Sequence, residues 1–226
     1  MMALSRKVIG LFALALFSLP VLAQDPVVVP TVIFTLDFPK SDPEHFVLSV
    51  RTDGQASYDS NGKLTSLTED KDPFHLDFTI SQPSRERMFD LVKRAHYFDG
   101  DLESKLPNLA FTGKKTVVYK DPQKNLQVSY VNSIVVPVQE FTAFCQHLSE
   151  TLEFGRRLLF YRRYQKLALD DELKRMEEMA KDGQLSELAA VAPILQTIAK
   201  DTTLMNIARG RALRLLDKAG VRKSIR

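Results

Sequence analysis

The sequence predicts an α+β fold: an antiparallel sheet with one packed helix, followed by a C-terminal set of antiparallel helices. Three observations carry this expectation. Residues 31–131 mostly repeat their apolar side chains with the two-residue period of a half-buried strand. One interruption, beginning near residue 84, has the three-and-four spacing of a helix, and from Pro137 onward that spacing persists. A sheet with one apolar face must bury it against another layer, which the helices supply.

The elements follow in order. Val32, Phe34, Leu36 and Phe38 alternate with Ile33, Thr35 and Asp37, and Phe46, Leu48 and Val50 alternate with Val47 and Ser49. Asp53-Gly54 provides the positive φ of a tight hairpin turn, so the chain returns through Ala56 to Tyr58. Residues 60–73 are polar, with Asn61-Gly62 and a charged run ending at Pro73, and read as a loop; Leu76 to Ile80 then alternate as a fourth strand. Ser84 is the expected N-cap of the first helix, whose Met88, Leu91, Val92 and Ala95 share a face and which Phe98 continues to Asp99-Gly100. Two further strands, Phe111 to Lys120 and Leu126 to Val131, are joined by a turn at Asp121 to Asn125.

Past Pro137, the residues Phe141, Cys145, Leu148, Leu152, Gly155 and Leu159 mark one stripe of a helix expected to reach Tyr164. Asp170-Asp171 is the expected cap of a helix carrying Leu173, Met176, Met179 and Ala180 and stopped by Gly183. Ser186 opens another with Leu188 and Val191, which Pro193 kinks or restarts, and a final helix from Thr203 to Lys218 ends at Gly220 before a basic tail. Short striped helices are marginal alone, so they are expected to stack in antiparallel pairs. The expected organisation is a signal peptide over 1–23, a β-rich part with one helix over 24–135, and a helical part over 136–226 packed on the sheet as one unit.

The export signal rests on Arg6 and Lys7, the apolar run Val8 to Phe17, the helix breaker Pro20, and Val21-Leu22-Ala23 before the cut. A bilayer span needs roughly 20 apolar residues, so cleavage after Ala23 is expected rather than anchoring. The protein is therefore expected to be periplasmic or secreted, with no transmembrane segment after cleavage. Cys145 is the only cysteine, which excludes an intramolecular disulfide. Its place on an apolar helix face predicts a buried, inert thiol.

Charge is divided unevenly. Residues 24–155 hold 13 Lys and Arg against 19 Asp and Glu, and residues 156–226 hold 16 against 9. Such asymmetry fits either a basic helical part lying against an acidic sheet part or an anionic partner.

Motifs for chemistry are sparse. His45, His75, His96 and His147 form no zinc-binding spacing, so no metal is expected. Gly113-Lys114-Lys115-Thr116 lacks the upstream glycine and the hydroxyl of a phosphate-binding loop and lies in a strand, so no nucleotide cofactor is expected either. No nucleophile elbow occurs, and Asp37 and Asp77 are expected to be exposed or paired acids.

The candidate interaction face is Arg156, Arg157, Tyr161, Arg162, Arg163, Tyr164 and Lys166, where cations interleave with aromatic rings. Arginine forks grip carboxylate or phosphate, and neighbouring rings stack. The competing reading places Phe160 in the core and pairs the arginines with Asp170, Asp171 and Glu172. Export disfavours nucleic acid, which leaves a protein or an anionic envelope component as the expected partner.

Phe38-Pro39-Lys40-Ser41-Asp42-Pro43, Phe111 to Thr116, Gly155-Arg156-Arg157 and Lys166 to Asp170 together resemble a group of uncharacterised exported bacterial proteins. That resemblance implies an exported α+β protein and brings no activity. The expected function is a non-catalytic interaction or scaffold protein of the bacterial cell envelope. Alternatives are a binder of anionic envelope surfaces or polymers through the basic helix 155–166, or an unrecognised periplasmic hydrolase.

Overall fold

A computed structural model of the chain describes residues 28–65 and 71–221. The export segment expected over 1–23, the acidic residues Glu69-Asp70 and the basic tail from Arg222 lie outside the described residues. The fold is α+β, a six-stranded antiparallel sheet with helices on one face.

The strands are β1 (Thr31–Asp37), β2 (His45–Arg51), β3 (Gln55–Ser60), β4 (Phe74–Thr79), β5 (Lys114–Lys120) and β6 (Asn125–Tyr130), in the spatial order β4-β3-β2-β1-β5-β6. Alternation places Val32, Phe34 and Leu36 of β1, Phe46, Leu48 and Val50 of β2, and Val117 and Tyr119 of β5 on the covered face. Register pairs Phe34 with Leu48 and Val117, so these side chains form one apolar row. Gly54, at φ +94°, turns the β2–β3 hairpin, as the Asp-Gly pair predicts.

β5 begins at Lys114 rather than Phe111. Gly113 has φ +86°, and a Cβ there would come within 2.7 Å of Phe38 and 2.9 Å of Leu36, so the chain bends tightly past β1 before pairing can start. Phe111 stays outside, its ring edge on Phe38 at 5.8 Å.

The helices are α1 (Gln82–Arg94), α2 (Val136–Tyr164), α3 (Leu169–Lys181), α4 (Ala192–Lys200) and α5 (Asn206–Lys218). α1 is capped at Ser81, not Ser84, because Pro83 fits the first turn where no backbone donor is needed. The Ser81 backbone N–H and hydroxyl donate to Glu187, at 3.0 and 2.7 Å, tying the β4–α1 junction to the loop before α4. Phe98 does not continue α1: residues His96, Tyr97 and Phe98 turn left-handed, with φ of 50°, 61° and 64°. This turn seats the Phe98 ring against Phe141 at 4.9 Å and Tyr97 against Tyr119 at 4.9 Å.

α2 reaches Tyr164 as expected. Asp170 and Asp171 lie in the first turn of α3 and the cap is Ala168, so these acids meet the helix dipole from inside the helix. Pro193 restarts the chain as α4, after a 3-10 turn at Leu188–Val191. Gly183 and Gly220 end α3 and α5 at positive φ. Ion pairs Arg157–Glu172 and Arg175–Glu150 show α2 and α3 running antiparallel. The short turn before α5 folds it back on α4, so the C-terminal set is two antiparallel hairpins. One continuous hydrophobic cluster runs from Val32 in the sheet through Phe141 and Leu148 to Leu195 and Leu215 in the helices.

α2 organises the molecule because it crosses the sheet. Tyr130 of β6 meets Thr142 at 2.6 Å, Tyr58 of β3 meets Ser149 at 2.7 Å, and the Arg156 guanidinium lies over the Phe74 ring of β4 at 5.2 Å. At about 1.5 Å per residue its 29 residues measure roughly 43 Å. Six strands about 4.8 Å apart span roughly 24 Å. The last turns of α2 therefore overhang the β4 edge.

Candidate functional site

The seven-residue face expected from sequence is divided by the fold. Arg156 and Arg157 are buried, since this half of α2 is enclosed by the β3–β4 loop on one side and α3 on the other. Buried cations need partners, and both have them. Arg156 donates to Glu153 at 3.3 Å, to the Gly62 carbonyl at 3.1 Å, and to the Asp72 carbonyl and carboxylate at 2.6 and 3.1 Å. Arg157 donates to Glu172 at 2.6 Å and Glu150 at 3.2 Å and covers the Phe154 ring. These two arginines hold the fold together and present no surface.

Tyr161 and Arg162 are half-buried, with Arg162 paired to Asp201 at 3.0 Å. Arg163, Tyr164 and Lys166 are exposed; Arg163 lies over the Tyr164 ring, and Lys166 donates to Thr203 at 2.9 Å. Phe160 is not in the core but stacks between Tyr161 and Tyr164. Of the acids expected to neutralise this segment, Glu172 does so and Asp170 instead pairs with Arg211. Charge asymmetry along the chain is thus resolved mainly within the helical layer, with Arg156–Asp72 bridging to the sheet part.

The overhang of α2 creates a groove that the sequence did not single out. It has a volume of about 440 Å³ and is walled by Phe74 and Leu76 of β4, Leu159 of α2, and Val191, Pro193 and Ile194 at the start of α4. Leu158 is fully buried whereas Leu159 is 55% exposed. Leu159 lies five turns beyond Phe141 on the same side of the helix, but no sheet remains beneath it. Gly155 sets the depth: a Cβ there would lie 2.5 Å from Val191, so only glycine lets the two backbones close the groove floor. No other described strand lies beyond β4, so its outer backbone edge pairs with no strand among the described residues.

On the uncovered face of the sheet, His75 stands between two carboxylates. Its Nδ1 is 2.7 Å from Asp59 and its Nε2 is 3.4 Å from Asp77, and the bond to Asp59 is the main cause of a raised pKa. Both ring nitrogens are engaged, which leaves none to take a proton from a nucleophile, and the group is exposed rather than enclosed in a cleft. His45 pairs with Asp37 at 2.6 Å on the same face, and Asp37 and Asp77 are separated by two strands.

Lys115, in the segment that superficially resembles a phosphate-binding loop, is turned into the covered face and buried. Its ammonium donates to the Thr112 carbonyl and hydroxyl and to the Val131 carbonyl, at 2.8, 2.6 and 2.7 Å, and burial lowers its pKa. It closes the loops at the β5–β6 end of the sheet.

Burial pushes the Cys145 thiol well above its ordinary pKa. Among the described residues no group of three or more His, Cys, Asp or Glu is placed to hold a metal ion, and no helix is long and apolar enough to cross a membrane. No protein-family model matches this chain, and no curated protein matches it.

Proposed function

We propose that this is an exported, non-catalytic interaction protein of the bacterial cell envelope, and that its groove receives an extended apolar segment of a partner polypeptide. The observation that carries the reading is the position of the groove beside the open edge of β4. Phe74 and Leu76 point into it from alternate positions of that strand. A strand added along β4 would pair with its outer backbone groups and send its own alternate side chains into the same apolar space. The volume lies within the roughly 300–1,000 Å³ of ordinary ligand pockets.

Placing a photo-crosslinking amino acid at Leu159 in the cell tests the occupant. The expected product joins Leu159 to a segment of one protein with alternating apolar residues, and Leu76→Glu in the same chain abolishes it. Crosslinks scattered over many proteins, or unchanged by Leu76→Glu, overturn the groove as the docking site. Export is tested separately by reading the N-terminus of the protein in the envelope fraction: Gln24 is expected, and an intact Met1 on cytosolic protein overturns the placement.

A further inference from the structure

A second surface adjoins the groove, sharing Arg162 with its lining, at the end of the helical layer where α2 finishes and α3 and α5 begin. The hydrogen bond from Lys166 to Thr203 and the ion pairs Arg162–Asp201 and Arg211–Asp170 draw the end of α2, the α2–α3 loop, the α4–α5 loop, the first turn of α3 and the second turn of α5 together. Four large apolar side chains project there: Tyr164 is 62% exposed, Leu167 83%, Met205 43% and Ile207 54%. Leu167 and Met205 lie in loops, and Tyr164 and Ile207 at helix ends, so they form protruding tips rather than the lining of a cleft.

Their charged neighbours are mostly basic. Arg162 and Arg211 are neutralised by Asp201 and Asp170. Arg163 stacks on Tyr164, Lys166 bonds to a hydroxyl, and Arg209 bonds to the Ala199 carbonyl and the Asn206 amide oxygen. These three cations stand against the exposed Asp171.

We propose that this end of the helical layer, through Tyr164, Leu167, Met205 and Ile207 with Arg163, Lys166 and Arg209, docks the protein onto an anionic lipid surface. Apolar tips ringed by cations suit such a surface on both counts. The tips enter the boundary between headgroups and acyl chains, a tyrosine ring rests at headgroup level, and the cations meet lipid phosphate. An acidic protein patch would satisfy the cations but leave a residue as exposed as Leu167 without an apolar site.

The test is sedimentation of the full chain with vesicles of phosphatidylglycerol mixed with phosphatidylcholine, and with vesicles of phosphatidylcholine alone. Binding to the anionic vesicles is expected, with loss at about 0.5 M salt. Arg163→Gln and Lys166→Gln should each weaken it about fivefold, and Leu167→Glu about tenfold. All variants carry the same N-terminus, so differences among them report this patch alone. The substituted positions are exposed, and thermal melting checks that each variant is folded. Equal binding to both kinds of vesicle, equal binding by wild type and all three variants, or no vesicle binding at all overturns the proposal.

Discussion

The Tyr58 hydroxyl donates to Glu153 at 2.9 Å, joining β3 to α2 across 95 residues of sequence. Ser60 donates to the same carboxylate oxygen at 2.5 Å and Arg156 to the other at 3.3 Å. Glu153 is 1% exposed and Arg156 4%. Glu153→Ala takes the acceptor from Tyr58 and Ser60 and leaves Arg156 with Asp72 as its remaining carboxylate, so it is expected to cost about 3–5 kcal/mol in urea unfolding. The double variant with Arg156→Ala should cost less than the sum of the two single variants, because the charges then leave together. A strictly additive result would show that the pair is not coupled.

Gly155→Ala tests the close approach of α2 to Val191. The new methyl group would meet Val191 at 2.5 Å and force α2 away from the start of α4. A loss of about 1–3 kcal/mol is expected from overpacking. Gly155→Ala with Val191→Ala should recover part of it, although cavity formation limits the rescue. Thermal melting of the three proteins decides.

His75 should titrate above its ordinary value of about 6.5, because the imidazolium is the form that Asp59 and Asp77 stabilise. A raised folded-state pKa means that the contribution to stability is fully present below the unfolded value and is lost as pH rises through the folded value. NMR of the ring protons in wild type and Asp59→Asn measures this directly. The pKa is expected to fall toward the ordinary value in the variant, and an unchanged titration would break the assignment.

Lys115→Met keeps the length of the side chain but removes its three hydrogen bonds, leaving the Thr112 and Val131 carbonyls without this donor. A destabilisation of about 1–3 kcal/mol is expected. Since the ammonium serves loop closure, the variant should bind phosphate no differently from wild type. A phosphate-dependent rise in melting temperature in wild type alone would reverse that reading.

Patterns that depend only on neighbours along the chain were legible in the sequence. Alternation in β1, β2 and β4, the Asp53-Gly54 hairpin and the long period of α2 needed nothing beyond local chemistry. Features set by contacts between distant segments were not legible. The left-handed turn at His96 to Phe98 exists because Phe141 and Tyr119 receive its rings. The late start of β5 depends on how closely Gly113 passes Phe38. Arg156 and Arg157 read as a basic surface because the enclosing loop and α3 are remote in sequence. Leu159 read as core because spacing reports direction but not where the sheet ends. Glycine at position 155 is a local hint of a close approach, but spacing alone makes it one more member of the stripe.

Cys145 gives the fold a built-in clock. Its sulfur is buried among the residues that join α2 to the sheet, and with no second cysteine in the chain it cannot be locked into a bridge. A thiol reagent can reach it only when that contact opens. The rate of modification in native buffer therefore counts how often the helix lifts from the strands, without any engineered label.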